Sequence, residues 1–167
     1  MMPFRALIGS GLGFGGAFAI WEMLRRVITT DPAADTAARL GLACAALLPA
    51  VCVLLLMVVM QMGLRVSTRA IDPLAGRDGR LLQVNQRALA NTVEQLTAFA
   101  PALLSVSAPA PAGWMPSVVA AGLVFGLARL VFWGGYLVGP LGRSPGMAAT
   151  YAINVATLVT AVRVWWP

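Results

Sequence analysis

Apolar residues gather into five long blocks along this chain, separated by short polar breaks. The first block runs from about Phe4 to Val27 and the second from about Ala37 to Gly63. The third begins polar near Leu81 and turns apolar through Ser107. The fourth covers about Ser117 to Val138 and the fifth about Gly146 to Trp165. Each block has the ~20 residues a helix needs to cross roughly 30 Å of hydrocarbon. The other structure able to span a bilayer, a closed barrel, needs alternating strands of about ten residues, and runs such as Val51 to Met60 show no alternation. The pattern therefore predicts an all-α integral membrane helix bundle with five spans.

The first block resembles a secretory leader, with Arg5, an apolar stretch and an Ala17-Phe18-Ala19 triplet. The stretch continues through Ile20 and Trp21 to Leu24, which predicts a retained helix. Gly9, Gly11, Gly13 and Gly15 form two overlapping GxxxG spacings. Small residues so spaced let helix backbones approach closely, so this helix is expected to pack on a neighbour or an external partner. The breaks are short: Thr29 to Thr36, Ser67 to Arg80, Ala108 to Pro116 and a Gly/Pro turn from Gly139 to Pro145. Five spans place Arg5, Arg65, Arg69, Arg77, Arg80 and Arg143 on one side. Arg25, Arg26, Arg39 and Arg163 fall on the other. The excess predicts a cytoplasmic N-terminus and an external C-terminus.

Composition agrees with the pattern: 59% of residues are hydrophobic and 11% charged, too apolar for a chain of 167 residues to bury in a core of its own. All twelve cations are arginine, and there is no histidine. Histidine acid–base chemistry, histidine metal sites and lysine Schiff bases are thereby excluded, and no metal site is expected. The net charge of +6 is scattered among apolar blocks, so no nucleic-acid surface is expected. A lysine-free chain rich in Ala, Arg, Gly and Val suggests a GC-rich bacterial source, hence a bacterial inner membrane. Cys44 and Cys52, eight residues apart on one helix, are too distant for a disulfide and are expected as small buried hydrophobes.

The scarce polar residues inside the blocks carry the candidate chemistry. At 100° per residue, Arg87, Asn91 and Glu94 share one stripe of the third helix. The fourth helix carries Arg129 deep within apolar surroundings and Tyr136 seven residues on. A charge at that depth costs at least about 2.5–3.5 kcal/mol and needs a carboxylate, a ligand or a wet cavity. Glu94, the one acid in the last three blocks, is the expected partner of Arg129. Such a pair can serve packing alone. Arg87, Arg129 and Arg143 outnumber Glu94, however, and a net-positive pocket suits a small carboxylate-bearing ligand.

Arg87-x-x-x-Asn91-x-x-Glu94, then Arg129 and Tyr136 one helix later, then Arg143-Ser144, together resemble the MAPEG family, the membrane-associated proteins of eicosanoid and glutathione metabolism. The resemblance covers about residues 40–166. It implies a four-helix domain over residues 37–167, with residues 1–36 as an additional transmembrane helix and linker. It also implies a homotrimer holding glutathione between subunits on the cytoplasmic side. Arg87, Asn91, Glu94, Arg129 and Tyr136 are then the glutathione-binding residues. Arg143 stands where the family stabilises the thiolate, with Ser144 beside it as the second catalytic candidate. Arg65 and Arg69 fall near a carboxylate-binding arginine in looser register. Two positions depart from the pattern, Gln95 and Phe132, where many members carry Tyr or, at the second, His.

Two functions follow. One is a glutathione-dependent transferase or peroxidase acting on lipophilic electrophiles. The other is a non-catalytic accessory subunit that docks a larger membrane complex through the glycine-rich first helix. A transporter or channel is poorly supported, since no inverted repeat is present.

Overall fold

The computed structural model describes residues 2–70, 72, 74 and 76–166, and only the backbone of residues 2, 3 and 5. The side chain of Arg5, counted above toward the cytoplasmic side, thus lies outside the described residues. Five helices follow in order: α1 (Met2–Val27), α2 (Thr36–Thr68), α3 (Arg80–Ser107), α4 (Met115–Val138) and α5 (Ser144–Trp165). A 3-10 turn over Ala112–Trp114 leads into α4, and no strand occurs among the described residues. The apolar blocks locate these helices closely; the largest difference is α2, which continues beyond Gly63 to Thr68.

Local chemistry sets the ends. The Asp35 side chain accepts the Ala38 N–H at 2.8 Å and so caps α2. At the other end Arg69 adopts a left-handed conformation, φ 55°, and its N–H reaches Val66 O. Pro116 and Pro145 sit in the first turns of α4 and α5, where a missing N–H costs no helical bond. Arg39 donates to the carbonyls of Ser107 and Ala108 at 3.4 and 3.0 Å, placing a cation on the C-terminus of α3.

Cross-helix hydrogen bonds fix the antiparallel order. Trp21 Nε1 at the end of α1 donates to Ser117 O at the start of α4, 3.0 Å away. Trp165 Nε1 at the end of α5 donates to Ser105 O near the end of α3, also at 3.0 Å. One end of the bundle therefore gathers Trp21, Trp114, Trp165 and Trp166, as suits a membrane interface. The opposite end holds the α2–α3 and α4–α5 connections, with Arg65, Arg69, Arg77, Arg80 and Arg143.

Four helices, α1, α2, α4 and α5, are long and apolar enough to cross a membrane. The third block was expected to be a fifth apolar span. Its helix forms over the full length, but Gln83, Asn85, Gln86, Arg87, Asn91, Glu94 and Gln95 in its first half keep it below that standard.

α4 is the axis of the bundle and packs against all four other helices. Gly122 and Gly126 make the α2–α4 crossing close. A Cβ on Gly122 would meet the Ala46 carbonyl, and one on Gly126 would lie 2.7 Å from Pro49 Cβ. Phe99 and Phe125 stack with centroids 4.2 Å apart at the centre. α1 lies against α5 and α4, as its glycines foretold. Only one of the two spacings is used: Gly13 abuts the Pro145 backbone, while Gly11 and Gly15 face open space.

The cysteines differ from expectation. Cys44 and Cys52 are exposed, because the inward stripe of α2 is Ala43, Ala46, Ala50, Val53 and Met57, and each cysteine sits one residue, about 100°, off that stripe.

Candidate functional site

Arg129 is fully buried where α3, α4 and α5 meet. Its Nε and Nη2 donate to Thr92 Oγ1 at 3.1 and 2.7 Å, Nη2 also to Asn91 Oδ1 at 3.1 Å, and Nη1 to Thr150 Oγ1 at 3.5 Å. The Phe132 ring lies 4.0 Å from its Cζ. Both threonines spend their own hydrogens on their helices, Thr92 on Ala88 O and Thr150 on Gly146 O, at 2.8 and 2.7 Å. Each therefore presents only lone pairs to the guanidinium.

This arrangement corrects the expected Arg129–Glu94 ion pair. Among the described residues Arg129 meets neutral oxygens and no carboxylate. Thr92 points at α4, and Glu94, two residues later, is turned about 200° away from it. Glu94 is exposed on the isolated chain. The link is indirect: Asn91 accepts from Arg129 through Oδ1 and reaches Glu94 Oε2 through Nδ2 at 3.4 Å. Arg87 is exposed on the same face, and no ion pair to it occurs among the described residues.

A second strip runs down α4 to the arginine-rich end. The rings of Phe132 and Tyr136 lie 5.8 Å apart, and the Arg143 guanidinium sits 4.8 Å from the Tyr136 ring centroid. Arg143 is the residue just ahead of α5, half-buried, and bonded to no carboxylate among the described residues. It borders a pocket of about 290 Å³. Ser144 lines the same pocket, and its hydroxyl donates to Leu141 O at 2.9 Å within the turn. The candidates thus form an elongated strip: Arg87 to Glu94, and Arg129 to Tyr136, each span about 10 Å of helix. An apolar cavity of about 150 Å³ at the tryptophan end, beside Trp21, Trp114 and Thr157, contains no ionisable group.

Several polar positions took roles the sequence did not announce. Asn85 is fully buried and ties three helices together. It donates to Met57 O at 3.0 Å and Gln61 Oε1 at 2.7 Å, and accepts from Trp133 Nε1 at 2.8 Å. Gln95 pairs with Asn154 of α5 at 2.7 Å. Arg65 is held by Asp78 at 3.4 Å and by Ala70 O at 2.9 Å, so its charge is compensated within the α2–α3 connection. Hydroxyls and amides inside apolar helices were the available signal for Thr92, Thr150 and Asn154.

The model of the MAPEG family matches residues 41–163, from the first turns of α2 to the last turn of α5, and leaves α1 outside. No curated protein matches the chain.

Proposed function

This chain belongs to the MAPEG family, and from that premise we propose that it binds glutathione and conjugates it to lipophilic electrophiles, or reduces lipid peroxides with it. The observation that carries this reading is Arg143, a guanidinium seated on Tyr136 beside a pocket, with no carboxylate bound to it among the described residues. A free thiol of pKa near 8.5 is only a few per cent thiolate at neutral pH, and an adjacent uncompensated cation favours the anion. Glutathione supplies the sulfur. Arg143 holds it as the anion, with Ser144 and Tyr136 alongside. Arg87, Asn91 and Glu94 grip the peptide portion along α3, and Arg129, enclosed as it is, acts by fixing the Asn91 amide.

The face of α3 that carries Gln86, Arg87, Glu94 and Thr97 is exposed on the isolated chain, although the helix is packed among membrane-crossing neighbours. Such groups are costly against lipid. A homotrimer that turns these faces toward one another covers them and places the ligand between subunits. In this reading residues 37–167 form the glutathione-binding domain and residues 1–36 an added helix. The arginine-rich end, with the N-terminus, faces the cytoplasm of a bacterial inner membrane.

The test is the ultraviolet absorbance of the thiolate when glutathione is added to the purified protein. The wild type develops it, and Arg143→Ala loses it while eluting as the same oligomer. A wild type that neither binds glutathione nor shows the band overturns the reading.

A second reading is supported by Phe132, which offers no polar contact, and by Gln95, which is occupied by Asn154. In it the protein is a non-catalytic subunit that docks a larger complex through the open Gly11–Gly15 face of α1. Stoichiometric co-purification with a larger membrane protein favours that reading, and homotrimers that turn over substrate exclude it.

A further inference from the structure

The family match begins in α2, so nothing about the family accounts for α1. Yet α1 lies against the start of α5, next to Arg143. A Cβ on Gly9 would lie 3.5 Å from Ser144 Cβ and from the Pro145 ring, and Gly13 leaves no room at all against the Pro145 backbone. The residue between them that faces this corner is Ser10. Together with Arg143, Ser144, Met147, Ala148 and Tyr151 it lines the open pocket of about 290 Å³. The Ser144 hydroxyl is committed to its turn, but no hydrogen bond occupies the hydroxyl of Ser10 or Tyr151 among the described residues. Tyr151 is 49% exposed and leaves the pocket open at the side. Apolar Met147 and Ala148 complete the lining.

We infer that α1 is a wall of the acceptor-substrate pocket, and that Ser10 and Tyr151 receive the oxygen of an α,β-unsaturated carbonyl compound whose chain lies in the bilayer. The inference rests on the glutathione reading above, because it takes the sulfur to be held at Arg143. Thiolate sulfur adds to the β-carbon, a C–S bond forms, and the C=C pair moves so that negative charge gathers on the carbonyl oxygen. A proton from water then completes the product, and no oxidant or reductant is needed. Hydroxyl donors aimed at that oxygen stabilise the charge as it develops. The two hydroxyls come from α1 and α5 and supply donors that Phe132 lacks.

The experiment compares two electrophiles with glutathione in the full-length protein: non-2-enal, which develops charge on oxygen, and 1-iodohexane, which expels iodide and has no oxygen. Tyr151→Phe and Ser10→Ala are each expected to lower the ratio of kcat/KM for non-2-enal over 1-iodohexane about tenfold, while the glutathione thiolate absorbance persists. Persistence of that band also reports that the variants are folded. If the band is present but the ratio stays within twofold of wild type, or the wild type turns over neither electrophile, the inference is overturned and the glutathione reading stands. If the wild type shows no thiolate, the glutathione reading itself fails.

Discussion

Arg129 shows how a charge is kept in an apolar bundle with no counter-ion among the described residues. Three neutral oxygens from α3 and α5 surround it, two of them on threonines whose protons are turned into their own helices. Thr92 receives two of the four bonds, and Thr150 one longer one. Thr92→Val is therefore expected to cost about 1–3 kcal/mol, with Thr150→Val costing less and Thr92→Ser nearly neutral, read from thermal unfolding in detergent. Glu94 separates this arrangement from a buried ion pair. Since Glu94 meets Arg129 only through Asn91, Glu94→Gln should leave the unfolding temperature close to wild type while weakening glutathione binding. A drop worth several kcal/mol would instead mean a direct pair. The stripe of Arg87, Asn91 and Glu94 was legible because it lies within one helix, where 100° per residue decides who shares a face. The cage of Arg129 was not, because it depends on which face of α5 meets α4, and no periodicity within either helix records that.

Among the helices, legibility follows the same division. Block length and the short polar breaks located the elements, since these are local. Which glycines face a neighbour is a relation between helices, and the two spacings of α1 proved unequal. Gly13→Leu is expected to lift α1 from α5, because the added side chain meets the Pro145 backbone. Gly11→Leu, with open space around it, should be tolerated. The fluorescence of Trp21, whose indole is anchored to Ser117 O, reports the difference. In α4, Gly122→Leu forces α2 away at the Ala46 carbonyl and should abolish the monodisperse species seen by size exclusion.

For the molecule as a whole, composition and arginine placement already spoke for a membrane bundle with its arginine-rich connections at one end. The cysteines were misjudged for the opposite reason: in lipid an exposed position is also apolar, so hydrophobicity no longer separates inside from outside. That exposure makes Cys44 and Cys52 removable, and a topology test follows. With both replaced by Ala, Gly76→Cys should react with a membrane-impermeant maleimide only after the cells are opened. Ala112→Cys, at the tryptophan end, should react in intact spheroplasts; the reverse pattern would invert the orientation. The seat of α1 has one more consequence, which concerns the order of synthesis. The first helix made packs on the last two. At about 5–20 residues per second, α4 is complete about 6–22 seconds after α1. Through that interval α1 stays in the bilayer with neither α4 nor α5 to pack on. Its outward Leu7, Leu12, Phe14 and Met23 are suited to that wait, since they hold it in lipid before there is a bundle to join.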